Sequence, residues 1–199
     1  MTLPATLLLT RSDVAALLDL DSCIAAVEEG FRLHGTGDAV TGVLGIHVPG
    51  GGFHIKAGTL RLRRPYFAAK TNANFPNNPA AHGLPTIQGV IVLADAEVGT
   101  PLALLDSMEI TTLRTGAASA VAAKYLARED ARSVGLIGCG NQGWVQLRAL
   151  RRVRPLTAAP STTAIAAAPK SSRACSPPSS VSRLTWRRAP PRPPGTVTS

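Results

Sequence analysis

The chain has 199 residues, 45% of them hydrophobic, and this length allows one large domain or two small ones. Its net charge of +9 is uneven, since residues 1–130 sum to −2 and residues 131–199 to +11 without any acidic residue. No apolar run reaches the roughly 18 residues of a membrane-spanning helix. Three scattered cysteines without a CxxC pair argue against a disulfide framework and a zinc site. We therefore expect a cytoplasmic protein without a membrane segment or a metal site.

Two capped helices are predicted near the N-terminus. Residues 10–13 supply polar capping side chains before the apolar segment 14–18. Asp21 precedes a second segment whose apolar residues recur at three- and four-residue steps, which is the period of a helix with one buried face.

The following segments are predicted to be mainly sheet. Gly42–Val48 and Phe53–Gly58 read as a hairpin, because the glycines of residues 49–52 provide its turn. Further strands are predicted near Tyr66–Phe75, Thr86–Ala94 and Pro101–Leu105.

A long helix is predicted from Asp106 to Leu126. Asp106 and Glu109 have the spacing of a capping box, and the many alanines of the helix allow another element to approach closely. A short apolar strand, residues 134–137, then leads into a glycine-rich turn and a helix that runs to about Arg152. Residues 131–154 are thus one β-turn-α unit.

Residues 155–199 differ in composition from the rest of the chain. They contain nine prolines, eight serines and six basic residues, but no acidic residue and only five leucines, isoleucines or valines. So little apolar surface cannot offset the chain entropy of folding, and we predict a disordered tail. This composition is also typical of a G+C-rich gene read out of frame, and we expect a frameshift rather than a natural basic tail.

The glycine-rich turn gives the clearest chemical signal. Gly138 permits a tight turn, Gly140 lets the backbone approach a pyrophosphate, and Gly143 lets the helix pack on the strand. The amides of Asn141 and Gln142 lie at the positive end of the helix, where an anion binds. Because the motif follows a strand and begins a helix, it favours dinucleotide binding in a Rossmann domain over a glycine packing turn.

Four segments together resemble the ornithine cyclodeaminase/mu-crystallin family over about residues 5–155. In chain order they are Asn74-Phe75-Pro76, Gly83-Leu84-Pro85-Thr86, the run from Leu113 to Ala127, and Gly138–Gly143. The resemblance implies an α/β protein: a mixed-sheet substrate-binding and dimerisation domain over residues 1–130, an incomplete Rossmann domain over residues 131–154, and the tail. It also implies NAD(H) or NADP(H) as cofactor, a small amino acid as substrate and a homodimer.

The resemblance assigns roles to individual residues. Lys70 and Arg114 match residues that bind the substrate carboxylate, and two cations at one carboxylate would fix its orientation. Thr86, Arg114, Asn141, Gln142 and the three glycines of the turn match cofactor-binding positions. Each assignment has a structural alternative. Lys70 could extend from its strand to water, Arg114 could be an exposed helical arginine, and Thr86 could be an ordinary strand threonine.

Three departures from the family pattern affect the expected activity. Ornithine cyclodeaminases have an arginine near residues 41–45 and a glutamate near His54, and both are missing here. His54 and Lys56 share one face of a predicted strand and could replace the lost cation in substrate binding, although a strand histidine is more often structural. The family's catalytic aspartate also has no counterpart, since Asp130 is the last acidic residue. We assign no catalytic residue.

Three classes of function follow from these observations. The first is the reaction of ornithine cyclodeaminase, L-ornithine to L-proline and ammonia, with an NAD(P)-dependent amino-acid dehydrogenase or imine reductase as the alternative in the same class. The second is a dinucleotide-binding remnant without catalysis. The third is weak, salt-sensitive nucleic-acid binding by the basic tail, for which no specific motif exists. The truncated Rossmann domain leads us to expect weak NAD(H) binding and no turnover by the 199-residue chain.

Overall fold

A computed structural model describes residues 5–138, 140–157 and 161–162. The chain divides into two compact units, Met1–Ala118 and Ser119–Ser199. Most of the segment predicted as a disordered tail, residues 155–199, lies outside the described residues.

The strands and helices follow one another in this order along the chain. They are β1 Leu7–Leu9, α1 Arg11–Leu17, α2 Leu20–Thr36, β2 Ala39–Val48, β3 Gly51–Arg61, β4 Pro65–Asn74, α3 Asn78–His82, β5 Ile87–Asp95, β6 Pro101–Asp106, α4 Met108–Leu126, β7 Leu136–Ile137, α5 Asn141–Val153 and β8 Ser161–Thr162.

The first unit is built on a six-stranded mixed sheet with the order β1-β6-β5-β4-β3-β2. Strand β1 runs parallel to β6, whereas the other neighbours are antiparallel. The predicted hairpin and the three further strands are confirmed. The sequence did not predict β1, because a run of three leucines shows no alternation and its partner strand lies far along the chain.

Helices α1 and α2 begin at polar caps. The backbone N–H of Thr10 donates to Asp13 Oδ2 at 2.9 Å, and the Thr10 hydroxyl accepts from the Asp13 N–H at 3.3 Å. The cap of α2 is Asp19 rather than the predicted Asp21, because Asp19 Oδ1 accepts from the N–H of Ser22 at 2.9 Å.

The alternation of side chains along the strands gives the sheet two unlike faces. We call the first the cationic face, because Lys56 of β3 and Lys70 of β4 lie opposite each other there. We call the second the open face, because large apolar side chains are exposed on it. The exposed side chains of the open face are Val40, Leu44, Ile46, Val48, Phe53, Val90 and Leu104.

A buried polar contact fixes the first turn of α4 against the sheet. Ser107 is fully buried, and its hydroxyl donates to Asn72 Oδ1 of β4 at 2.8 Å. Asp106 Oδ1 accepts from the N–H of Met108 at 2.8 Å, so the helix begins two residues after the predicted start. Since Asn72 lies two residues from Lys70 on the same strand, this contact sets where α4 starts relative to the cationic face.

The second unit contains a β-α-β arrangement in which β7 and β8 pair in parallel. Val145, Leu147 and Ala149 of α5 are buried. Because residues two apart in a helix point about 200° apart, the helix is buried on more than the single side that an amphipathic sequence predicts. Arg154 follows the helix and donates from Nη2 to the carbonyl of Lys124 at 2.9 Å. The composition of residues 155–199 did not predict strand β8, which is only two residues long.

Two absences apply to residues 5–138, 140–157 and 161–162. No helix in these ranges is long and apolar enough to cross a membrane. No group of three or more histidine, cysteine, aspartate or glutamate side chains in these ranges could hold a metal ion.

Candidate functional site

Three basic side chains come together on the cationic face from three different elements. Lys56 and Lys70 are opposite each other on β3 and β4, and Arg114 lies on α4. Arg114 is close enough for its charge to act on both Lys70 and the buried Cys23 of α2. The sequence prediction that Lys70 and Arg114 converge therefore agrees with the geometry, while their binding roles stay a prediction.

Lys70 is the most perturbed member of this cluster. Partial burial, followed by the charges of Arg114 and Lys56, lowers the pKa of Lys70 to about 8. Its Nζ donates a long hydrogen bond of 3.5 Å to Thr111 Oγ1, one turn before Arg114 on α4. A lysine with this pKa is still mostly protonated at pH 7, so it can bind an anion there.

The three cations have no acidic counterpart in the part of the chain that the structure describes. Three ion pairs elsewhere in the first unit join Arg11 to Glu109, Arg32 to Glu29 and Arg64 to Asp95. Like charges directly across a strand pair destabilise a sheet. A cluster of this kind is typical of an anion-binding site, since a bound carboxylate would offset the repulsion.

His54 and Thr86 occupy different positions relative to this cluster. His54 is exposed, and it lies two residues from Lys56 on the same face of β3, as predicted. Thr86 precedes β5 at the end of the sheet, where its carbonyl accepts from the N–H of Phe75 at 2.8 Å. The structure thus brings His54 to the edge of the cluster and does not place Thr86 within it.

A cavity next to Arg114 was not anticipated from the sequence. It has a volume of about 900 Å³ and lies between α2, the sheet and α4. Small residues on three elements, Gly30, Gly58 and Ala68 among them, line it. These small residues are the feature of the sequence that could have indicated a cavity. Glycine and alanine are so common, however, that the sequence does not show which of them face one another.

The glycine-rich turn of the second unit has the geometry that its motif predicts. Gly138 has a φ of +97°, which disfavours any residue with a side chain. A Cβ at Gly143 would lie 2.7 Å from the carbonyl oxygen of Gly138, so only glycine allows this close packing. A Cβ at Gly140 would meet nothing within 4 Å, so the backbone there is open to a ligand.

The start of α5 suits the pyrophosphate of a dinucleotide. Asn141 and Gln142 are the first residues of the helix, and both are exposed. Their backbone N–H groups have no acceptor within the helix, so they can donate to a bound anion at the positive helix end. These residues, together with the three glycines of the turn, are the ones that would hold the cofactor.

Comparisons with known proteins connect the two units to one family. A profile of the ornithine cyclodeaminase/mu-crystallin family matches residues 5–166. Alanine dehydrogenase of Archaeoglobus fulgidus is 41% identical over 152 residues, which are 74% of this chain and 45% of that protein.

Two solved structures extend the likeness to the fold. An archaeal alanine dehydrogenase dimer with bound NAD superposes with a TM-score of 0.76 at 38% identity, over 80% of this chain and 49% of that one. Thermococcus litoralis Δ1-pyrroline-2-carboxylate reductase, in complex with NADH and L-proline, gives 0.75 at 36% identity, over 81% and 50%. The chain spans about half the length of the relatives it matches.

Proposed function

This chain belongs to the ornithine cyclodeaminase/mu-crystallin family, and on that premise we propose that it supplies the carboxylate-binding residues and the pyrophosphate-binding turn of an NAD(P)-dependent enzyme. The substrate class is a small α-amino acid together with its imine or 2-oxo acid. The cluster of Lys56, Lys70 and Arg114 is the observation that supports the proposal. These three cations have no acidic partner among the described residues, and such a cluster favours a carboxylate ligand.

Each residue has a defined part in this proposal. Arg114 and Lys70 bind the two carboxylate oxygens, and Lys56 and His54 add positive charge or a hydrogen bond at the edge. A bound nicotinamide dinucleotide would supply the hydride chemistry that a reaction at the substrate Cα requires. The carboxylate contacts fix the orientation of that carbon, which is the main contribution that binding residues make to hydride transfer.

Titration of the 199-residue chain with pyruvate, followed by NMR of ¹³C-methylated lysines, tests the carboxylate site. One lysine resonance should titrate near pH 8 and should be missing in Lys70→Met. Pyruvate should raise the pKa of this lysine, because a nearby anion stabilises the charged form.

Substitution of the arginine tests the other half of the clamp. Arg114→Gln should weaken pyruvate binding about tenfold or more, since a charge-assisted hydrogen bond is removed. Arg63→Gln, in the exposed turn between β3 and β4, is the matched control and should bind pyruvate as the unaltered chain does. Equal affinity of Arg114→Gln and the control would contradict the proposal.

Cyclisation of a diamino acid is the second candidate function, favoured by the family match itself. It uses the same carboxylate contacts and differs in the product. L-Proline formation from L-ornithine would support it, whereas consumption or production of NADH with L-alanine and pyruvate would support the dehydrogenase. Either product from the 199-residue chain would also contradict the expectation that this chain shows no turnover. Amino-acid analysis is needed alongside NADH absorbance, because a redox-neutral cyclisation leaves the NADH concentration unchanged.

We also propose that the open face of the sheet joins two copies of this chain in a homodimer. Val40, Leu44 and Ile46 are 68%, 55% and 47% exposed on one edge strand, which is unusual for a surface in contact with water alone. The alanine dehydrogenase structure that the chain resembles is a dimer. A symmetric pairing would bring each open face against its own copy.

A further inference from the structure

The cavity beside Arg114 extends the cationic face into an apolar space. Lys56 pairs with Lys70 across β3 and β4. The next pair on the same face is Gly58 and Ala68, two residues further along each strand. Arg114 lines the cavity and also acts electrostatically on Lys70. The cations and the apolar space are therefore adjacent parts of one surface within the first unit.

Small residues create this space. Gly58 and Ala68 form its floor, and a side chain at Gly58 would collide with the carbonyl oxygen of Val40 at 2.4 Å. Gly30 of α2 lines the opposite wall, where an added Cβ would meet nothing within 4 Å. Phe31 of α2 is another wall residue, and it is 56% exposed.

The charges of the cavity restrict what it can accept. Of the residues that line it, Arg114 is the one with a permanent charge, and none is acidic. A distal ammonium group would therefore find no carboxylate partner among these residues, and any part of its hydration that it lost would not be replaced by an ion pair. An apolar group would instead gain from its transfer out of water.

We propose that this cavity is the side-chain subsite of the substrate and selects an α-amino or 2-oxo acid with a branched apolar side chain over one with a distal ammonium. The proposal rests on the proposed function, because it takes the carboxylate to lie at Arg114 and Lys70. From there the substrate side chain extends over Ala68 and Gly58 towards Gly30.

The test compares ligands on the full 199-residue chain by calorimetric titration. 4-Methyl-2-oxopentanoate should bind at least tenfold more tightly than pyruvate, because three additional carbon atoms leave water. L-Leucine should bind at least tenfold more tightly than L-ornithine. The uncharged 4-methyl-2-pentanone should bind much more weakly than the corresponding acid, since it cannot engage Arg114.

Gly30→Leu fills the cavity without a backbone clash and should abolish the preference for 4-methyl-2-oxopentanoate over pyruvate. Gly35→Leu is the matched control, because Gly35 lies in the same helix, has equally free space and does not line the cavity. It should keep the preference. Circular dichroism of both variants checks that the helix content of the chain is unchanged.

A second measurement begins with the unaltered chain and does not require Gly30→Leu to fold. Saturation of the aromatic protons of the unaltered chain should transfer to the methyl groups of 4-methyl-2-oxopentanoate, and the transfer should fall in Phe31→Leu.

The two proposals fail in different ways. Equal affinity for the two 2-oxo acids, a preference that survives Gly30→Leu, or equal binding of acid and ketone would overturn the subsite while pyruvate still depended on Arg114. Binding of both acids that is insensitive to Arg114→Gln would overturn the carboxylate site, and absence of binding by the folded chain would overturn both.

Discussion

The two faces of the six-stranded sheet come from the same strands but differ in their charge and in how many large apolar side chains they expose. The cationic face places Lys56 against Lys70 under the first turns of α4, with Arg114 nearby. The open face places Leu44 and Ile46 in an exposed apolar surface. Alternating residues of one strand, such as Ile46 and His47, thus point to environments that make opposite demands on them.

This contrast underlies the two roles that we propose for the sheet, anion binding on one face and dimerisation on the other. Like charges on one face destabilise the fold and are useful only when an anion binds between them. Exposed apolar residues on the other face gain free energy only when a partner covers them. The cationic face would gain a counter-charge from a bound anion, and the open face would gain an apolar partner from a second copy. Substitutions on one face can be made without changing the residues of the other.

The largest expected effect is on the open face. Ile46→Lys should raise the dissociation constant of the proposed dimer at least a hundredfold, because a symmetric interface would bury the new charge twice. His47→Lys is the matched control, since the neighbouring side chain points to the cationic face and should leave the dimer intact. Analytical ultracentrifugation over a concentration series measures the dissociation constant of each variant. If Ile46→Lys had the same average mass as the unaltered chain at every concentration, this face would be excluded as the interface.

A moderate effect is expected on the cationic face, in the pH dependence of stability. The folded state lowers the pKa of Lys70 from 10.5 to about 8, so folding disfavours the charged form. The unaltered chain should therefore gain stability as the pH rises from about 8 to about 10.5, where the unfolded state binds more protons than the folded state. Lys70→Met should lack this rise and should be more stable at pH 6 by about 1 to 2 kcal/mol, a value reduced for partial exposure.

Urea unfolding at pH 6 and pH 10 measures the free energy of unfolding for both proteins. The difference in the free energy of unfolding between Lys70→Met and the unaltered chain should become smaller as the pH approaches 10. A constant difference across this range would show that Lys70 is not held in an unfavourable electrostatic environment.

The smallest effect is expected at Lys56. Lys56→Met should raise the pKa of Lys70 slightly, and by less than Arg114→Gln does, because Lys56 is the more exposed residue and its charge is the weaker influence. NMR titration of ¹³C-methylated Lys70 in the two variants shows which substitution raises the pKa of Lys70 more. A larger rise in Lys56→Met would mean that the strand pair, rather than α4, dominates the electrostatics of this face.

Local patterns in the sequence were sufficient for several features. The hairpin of β2 and β3 follows from its glycine turn and its alternation, and the turn at Gly138 and Gly143 follows from residues within one short segment. The match to residues 5–166 confirms the family that the ordered motifs suggested. These features could be predicted because the residues that specify them are close together in the chain.

Tertiary structure alone decided the features that join distant segments. The pairing of Lys56 with Lys70 depends on the register of β3 and β4, and a shift of one residue would move Lys70 to the open face. The approach of Arg114 depends on the start of α4, which the buried contact between Ser107 and Asn72 fixes. The cavity depends on which small residues face one another, and β1 depends on a partner strand that the chain reaches only at β6. The sequence contains all of these residues, but their proximity arises from packing over long chain separations, for which no local pattern exists.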